Sequence, residues 1–281
     1  MHKMFALIAF ILCITACTAA ARIPATLRDV PYGTDPANTL DVYTSNGLIN
    51  APLILLVHGG AWRFGDKDNR AVITNKVKHW LPKGYVVVSI NYRMLPDTGP
   101  LAQADDVSNA IAYAQTHAAE WGADPEKVIL IGHSAGAHLV ALVNAQASAG
   151  LLNNKIPSAW LGTIALDSAA FDVVAIMQRQ DPPALYRRAF GTDPAYWQTS
   201  SPIHVLTNTI PPLLAVCSTL RADKPCEQAM QFKQRADSLH SEVTVLPVAL
   251  SHRDINFEVG KLPEYTAQLD AFIEQIQKNR N

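Results

Sequence analysis

The pentapeptide Gly132-His133-Ser134-Ala135-Gly136 constrains this chain more than any other feature. It follows the apolar run 128–131 and precedes a segment rich in Ala and Leu that extends to about residue 149. A continuous apolar run bounded by a turn signal fits a strand buried on both faces, and the Ala- and Leu-rich segment fits a helix. A serine between them sits on a tight strand-to-helix turn, where a glycine two residues to either side relieves the crowding. Its hydroxyl then projects above the edge of a sheet, beside the positive start of a helix.

The rest of the chain repeats the same alternation. Thr39–Tyr43 alternates apolar and polar residues and fits an early edge strand. Apolar runs at 53–57, 85–90, 161–166, 213–216 and 243–248 fit further strands, and 71–81, 105–121, 227–239 and 264–277 fit helices. Such a series calls for an α/β fold: a mostly parallel central sheet with helices on both faces. Between the strands at 161 and 213 lie prolines and the aromatics Tyr186, Phe190, Tyr196 and Trp197. Long excursions of this kind in compact domains usually serve function, so a small cap over about 168–211 is expected beside the pocket. The 281 residues are 49% hydrophobic and 17% charged, with a net charge of −1, which excludes a disordered chain and a nucleic-acid binder.

An exposed serine on such a turn needs a base, an acid and anion-stabilising donors. His58-Gly59-Gly60-Ala61-Trp62 follows the strand at 53–57, and glycines let a backbone approach a substrate oxygen closely. The N–H groups of Gly59, Gly60 and Ala135 are therefore expected to face a developing oxyanion, Gly60 before Gly59. His58 is expected to hold its loop by hydrogen bonding, and Trp62 and His133 to line the substrate pocket. The chain order serine, acid, histidine points to His252, after the last apolar strand, as the base. His240 and His204 are less well placed. The acid is expected in the loop after 213–216, where Asp223 is the carboxylate; Asp167, after the strand at 161–166, is the main rival, and Asp254 lies too near His252. No His/Cys/carboxylate spacing suggests a metal, and the chemistry calls for no cofactor.

With Asn91-Tyr92-Arg93 and Asp105-Asp106, these motifs resemble the α/β-hydrolase superfamily from about residue 39 to 277. The resemblance is to its H-G-G-x-W branch, which holds kynurenine formamidase-like and bacterial feruloyl esterase-like carboxylesterases. It implies a structural pair between Arg93 and Asp105 or Asp106. It also implies a serine hydrolase of small carboxylic esters, with an arylformamidase-type amide hydrolase and a non-catalytic envelope binding protein as alternatives. Relatives often carry G-x-x-D at the acid; this chain has a longer loop, Cys217-Ser218-Thr219-Leu220-Arg221-Ala222-Asp223.

The N-terminus fits a targeting segment over 1–21: a basic Met1-His2-Lys3, an apolar stretch of about 11 residues, then small residues, against the ~20 a membrane span needs. Ile14-Thr15-Ala16-Cys17 resembles a bacterial lipobox, with Cys17 as the lipidated anchor; cleavage within 19–21 is the alternative. Export to the periplasm or envelope is thus expected, leaving 22–281 as one hydrolase domain with its cap. Of the four cysteines, Cys13 is removed with the signal, and Cys217 and Cys226 are left to form one disulfide, which for so short a loop stabilises by about 2.5–3 kcal/mol.

Overall fold

The computed structural model describes residues 23–152 and 155–279; the segment carrying Cys17 lies outside the described residues. Eight strands form one sheet: β1 (Leu27–Pro31), β2 (Thr39–Tyr43), β3 (Ala51–Val57), β4 (Val86–Ile90), β5 (Ala123–His133), β6 (Gly162–Leu166), β7 (Leu213–Ser218) and β8 (Val243–Val248). Their order across the sheet is β1-β2-β4-β3-β5-β6-β7-β8. β2 pairs antiparallel with β1 and β4, and every pair from β4 to β8 is parallel. Between the strands run α1 (Arg70–Trp80), α2 (Pro100–His117) and α3 (Ala135–Ser148). Four short helices, α4 (Val173–Met177), α5 (Ala184–Phe190), α6 (Pro194–Thr199) and α7 (Pro202–Val205), occupy the excursion between β6 and β7. Then come α8 (Pro225–Asp237), α9 (His252–Phe257) and α10 (Pro263–Lys278). This is the α/β-hydrolase fold.

The strand periodicity of two sorts the core into two layers. Leu53, Leu55 and Val57 of β3 pack with Val107 and Ile111 of α2 and Leu139 and Val143 of α3 on one face. Ile54 and Leu56 pack with Val72 and Val77 of α1 and Leu269 and Ile273 of α10 on the other. Both faces are covered, which is why these strands appear in the sequence as unbroken apolar runs. The central helix α3 is buried on all sides, and its Ala137, Ala141 and Ala145 share a cluster with Ala165, Ala215 and Phe232. Small side chains let this helix lie close against β6.

Three local expectations change. Thr39–Tyr43 is not an edge strand, because β1 lies outside it; β1 is nearly all exposed and so carries no apolar run. Helix α2 begins at Pro100, whose missing N–H costs nothing at the first helical position. His252 opens a helix and not a loop: Ser251 caps α9 by accepting from the Asp254 N–H. The predicted disulfide Cys217–Cys226 is present, with Cα atoms 5.2 Å apart. Arg93 pairs with Asp106, Nη2 to Oδ1 at 2.7 Å, whereas Asp105 pairs with Lys155.

Strands β3, β5, β6, β7 and β8 are neighbours and parallel, so the residues that follow each of them meet along one edge. Parallel α/β sheets bind ligands beyond such carboxyl ends.

Candidate active site

β5 runs directly into Ser134, which has φ 56° and ψ −116°, and α3 starts at the next residue. A side chain at Gly132 would meet the Gly136 carbonyl oxygen at 2.2 Å, and one at Gly136 would meet the Val57 carbonyl oxygen at 2.3 Å. The two flanking glycines are therefore obligatory, and between them the serine is held in a left-handed turn that most residues avoid.

The Ser134 hydroxyl donates to His252 Nε2 at 2.9 Å. His252 Nδ1–H in turn donates to Asp167 Oδ2 at 2.6 Å. The chain Ser134–His252–Asp167 thus joins the ends of β5, β8 and β6. The Asp167 carboxylate is fully buried, and its other oxygen accepts from the Ser218 N–H at 2.8 Å. Burial by itself raises its carboxyl, but the hydrogen bonds from His252, Arg221 and Ser218 outweigh it and hold Asp167 below the ordinary carboxylate range.

Asp223, expected to accept the imidazole N–H, does not. Its carboxylate takes both arms of the Arg221 guanidinium, with Nε to Oδ1 at 2.9 Å and Nη2 to Oδ2. Arg221 stands off β7 where an acid was expected, and Asp167, one strand nearer to Ser134, meets the imidazole in its place. The signal for Asp167 was a carboxylate directly after a buried strand adjacent to the serine strand. Its φ of 58° marks the sharp turn that aims it inward.

A cavity of about 570 Å³ opens over Ser134. Gly60 and Ala135 line it, and Ala135, as the first residue of α3, has no intrahelical acceptor for its N–H. Gly59 packs beneath, where a side chain would meet the His133 carbonyl oxygen at 2.7 Å. Gly60 has φ 131°, and a Cβ there would lie 1.9 Å from the Phe64 carbonyl oxygen. The turn is closed by N–H groups of Arg63 and Phe64 donating to the Gly60 carbonyl. His58 is buried below it, donates from Nδ1 to the Gly59 carbonyl at 2.8 Å and stacks on Tyr92. It holds the loop, as expected, and does not reach the reacting groups.

The remaining walls are mostly apolar, with the polar Ser168 and Arg221 among them. Trp62 faces the cavity, with its ring against Tyr186 and Phe190 and its indole N–H donating to His138 Nδ1 at 3.2 Å. Burial pushes His138 down to about 4, so it stays a neutral acceptor there, with its other nitrogen donating to the Ser200 carbonyl. Leu185 and Tyr186 of α5 bring the excursion between β6 and β7 onto the cavity, and burial pushes the Tyr186 phenol up to about 12. His133 lines the floor. Burial, aided by the neighbouring His252, pushes it down to about 3. Among the described residues no group of His, Cys, Asp and Glu is arranged to hold a metal ion.

The sequence pattern of the BD-FAE family matches residues 40–235, from β2 through most of α8. The chain belongs to the BD-FAE family. The esterase LipC of Mycobacterium tuberculosis is 28% identical over 275 residues, covering 90% of this chain and 66% of its own length. The kynurenine formamidase of Salmo salar is 32% identical over 119 residues, covering 42% of this chain and 38% of its own. The chain therefore spans less than two thirds of these relatives. The solved structure of esterase B from Lactobacillus rhamnosis superposes with a TM-score of 0.74 at 20% identity, covering 90% of this chain and 87% of that one. At that identity it shares the fold of this BD-FAE member.

Proposed function

We propose that this protein is a carboxylic ester hydrolase that works through a Ser134–His252–Asp167 triad. The observation that carries the reading is the unbroken hydrogen-bonded chain from the Ser134 hydroxyl through His252 to buried Asp167. Ser134 Oγ bonds the acyl carbon as its proton passes to His252 Nε2, and Asp167 stabilises the imidazolium and fixes its orientation. The oxyanion of the tetrahedral intermediate accepts from the N–H groups of Gly60 and Ala135, donors worth roughly 3–4 kcal/mol each in comparable sites. Collapse breaks the bond to the leaving alcohol, which takes the proton from Nε2. Water then repeats the steps on the acyl-enzyme and frees the acid. The walls of Trp62, Leu185 and Tyr186 favour substrates with an apolar acyl or alcohol group.

The test is hydrolysis of short p-nitrophenyl esters together with labelling by a fluorophosphonate. Wild type labels at Ser134 and turns over, and Ser134→Ala loses roughly 10⁴–10⁶ in kcat. Full activity in Ser134→Ala, or no labelling of wild type, overturns the reading; the second result favours a binding protein. The likeness to a kynurenine formamidase supports a second reading, cleavage of an aromatic formamide at the same site. Comparing N-formylkynurenine with phenyl acetate decides between them. We further propose export with lipidation at Cys17, supported by the N-terminal residue pattern and by the disulfide's preference for an oxidising compartment. Intact mass of membrane-fraction protein shows an acylated cysteine at the N-terminus if this holds, and a free N-terminus near Arg22 overturns it.

A further inference from the structure

Arg221 lies in the loop that the Cys217–Cys226 disulfide closes, and its guanidinium sits between two carboxylates. Nε and Nη2 engage Asp223 as a fork, and Nη1 donates to Asp167 Oδ2 at 2.8 Å and to the Asp167 carbonyl at 3.1 Å. Nη1 is also 2.9 Å from His252 Nδ1. Both of these nitrogens carry protons, since Nδ1–H already donates to Oδ2. The close approach is therefore two donors crowding one shared acceptor, not a bond between them. A cation grips the same oxygen that orients the imidazole, and it stands next to the ring that must become an imidazolium.

Charge counting shows why the second carboxylate is there. Asp167, Arg221 and Asp223 together carry one net negative charge beside a neutral imidazole and reach neutrality when it protonates. Without Asp223 the same groups would start neutral and become cationic. Other groups around His252 do not supply this balance. His133, at the end of β5, is a neutral donor to the His252 carbonyl at 2.9 Å. Lys76, from α1, donates to the Asn256 carbonyl and side chain. Tyr265, from α10, donates to the Ile255 carbonyl, Asp254 is engaged with Ser251, and Arg253 lies over Phe257.

We propose that Arg221 is a positioning residue that locks the Asp167 carboxylate toward His252, and that Asp223 is its counter-ion, keeping the Arg221 charge from opposing the imidazolium. This rests on the hydrolytic reading of Ser134, His252 and Asp167. It makes Asp223 part of the site's electrostatics without direct contact with the histidine.

The experiment compares wild type, Arg221→Met, Arg221→Lys, Asp223→Asn and the double variant Arg221→Met/Asp223→Asn. Two readouts are used on the full chain: the acidic limb of the kcat/KM profile, and an NMR titration of the His252 ring assigned with His252→Gln. Asp223→Asn leaves the cation uncompensated and moves both midpoints to lower pH, by about 1 unit for a charge at this range. Arg221→Met removes the cation and moves them to higher pH by a similar amount. The double variant restores the net charge and returns them toward wild type. Arg221→Lys keeps the charge but loses the fork, so its midpoint stays near wild type while kcat falls about tenfold. Thermal melts and circular dichroism confirm that each variant folds. A brace that only holds the loop would lower activity without opposite shifts, and coincident midpoints in folded Asp223→Asn and wild type overturn the proposal. The ring titration is independent of turnover: opposite NMR shifts in a protein without esterase activity keep the electrostatic pair and reject the hydrolytic reading.

Discussion

His133 Nε2 donates to the main-chain carbonyl of His252 at 2.9 Å, with the two rings 4.6 Å apart, so the residue before Ser134 holds the backbone of the histidine that Ser134 meets. Because burial pushes His133 down to about 3, it remains neutral throughout the working range of an esterase, and the bond does not switch with pH. His133→Ala is expected to lower kcat roughly tenfold through looser placement of the imidazole. Steady-state kinetics on a p-nitrophenyl ester checks this; unchanged kcat would show that α9 is held well enough by its other contacts.

Two carboxylates competed for the acid's place, and asparagine at each separates them. Asp167→Asn leaves the shape but removes the charge and, with its oxygen kept on the Ser218 N–H, presents an NH2 to His252 Nδ1 that favours the wrong imidazole tautomer, so kcat falls about 10⁴-fold. Asp223→Asn, one guanidinium further out, is expected to cost about tenfold or less at pH 8. The reverse order would return the acid to Asp223. Kinetics at saturating substrate reads both.

These two residues also show how far the sequence could be followed. Ser134 and the Gly59-Gly60 turn were legible because their constraint is local: a tight turn needs glycines at fixed offsets, and an apolar run on each side declares its context. His252 was legible by order along the chain. The carboxylate that meets its imidazole was not, because its place depends on which strand lies next to β5, and β6 and β7 both end in a polar loop with an Asp. Off β7 it is Arg221 that reaches Asp167 and His252, with Asp223 bound to its guanidinium. Strand β1 was missed for the opposite reason: paired on one side and exposed, it has no burial to imprint a pattern.

Gly60→Ala tests the donor turn. At φ 131° a Cβ would overlap the Phe64 carbonyl at 1.9 Å, so the loop must shift and its N–H with it. A loss of one oxyanion donor corresponds to about 10²–10³ in kcat. The expected signature is this fall with Ser134 still labelled slowly by a fluorophosphonate and the circular dichroism spectrum unchanged. Wild-type turnover would remove Gly60 from the oxyanion site.

Lys76 supplies a pH test of stability. It is fully buried on α1, donates to the Asn256 carbonyl and side chain at 2.7 and 2.8 Å, and burial pushes its ammonium down to about 7. The unfolded value is about 10.4. Between these values the unfolded chain binds the extra proton, so this group makes stability rise with pH; below about 7 both states are protonated and the burial cost is fully in force. Replacing it by Met removes that cost along with the hydrogen bonds. The Tm of Lys76→Met relative to wild type is therefore expected to be higher at pH 6 than at pH 9. An equal difference at both pH values would mean that the lysine is charged in the fold across this range.

The disulfide closes the loop that carries both Arg221 and Asp223, which ties stability to the site. Chain entropy for a loop this short gives about 2.7 kcal/mol, and in a domain of this size each kcal/mol moves Tm by roughly 2–4 °C. The double variant Cys217→Ala/Cys226→Ala is thus expected to melt about 5–10 °C lower than wild type in the absence of reductant. Dithiothreitol should bring wild type down to the variant's Tm and leave the variant unmoved. If Arg221 depends on this closure for its fork on Asp223, the variant also loses activity at temperatures well below its melt, and kcat measured at 25 °C separates that local loosening from global unfolding. A variant with wild-type kcat and a lowered Tm would limit the bridge to a stabilising role.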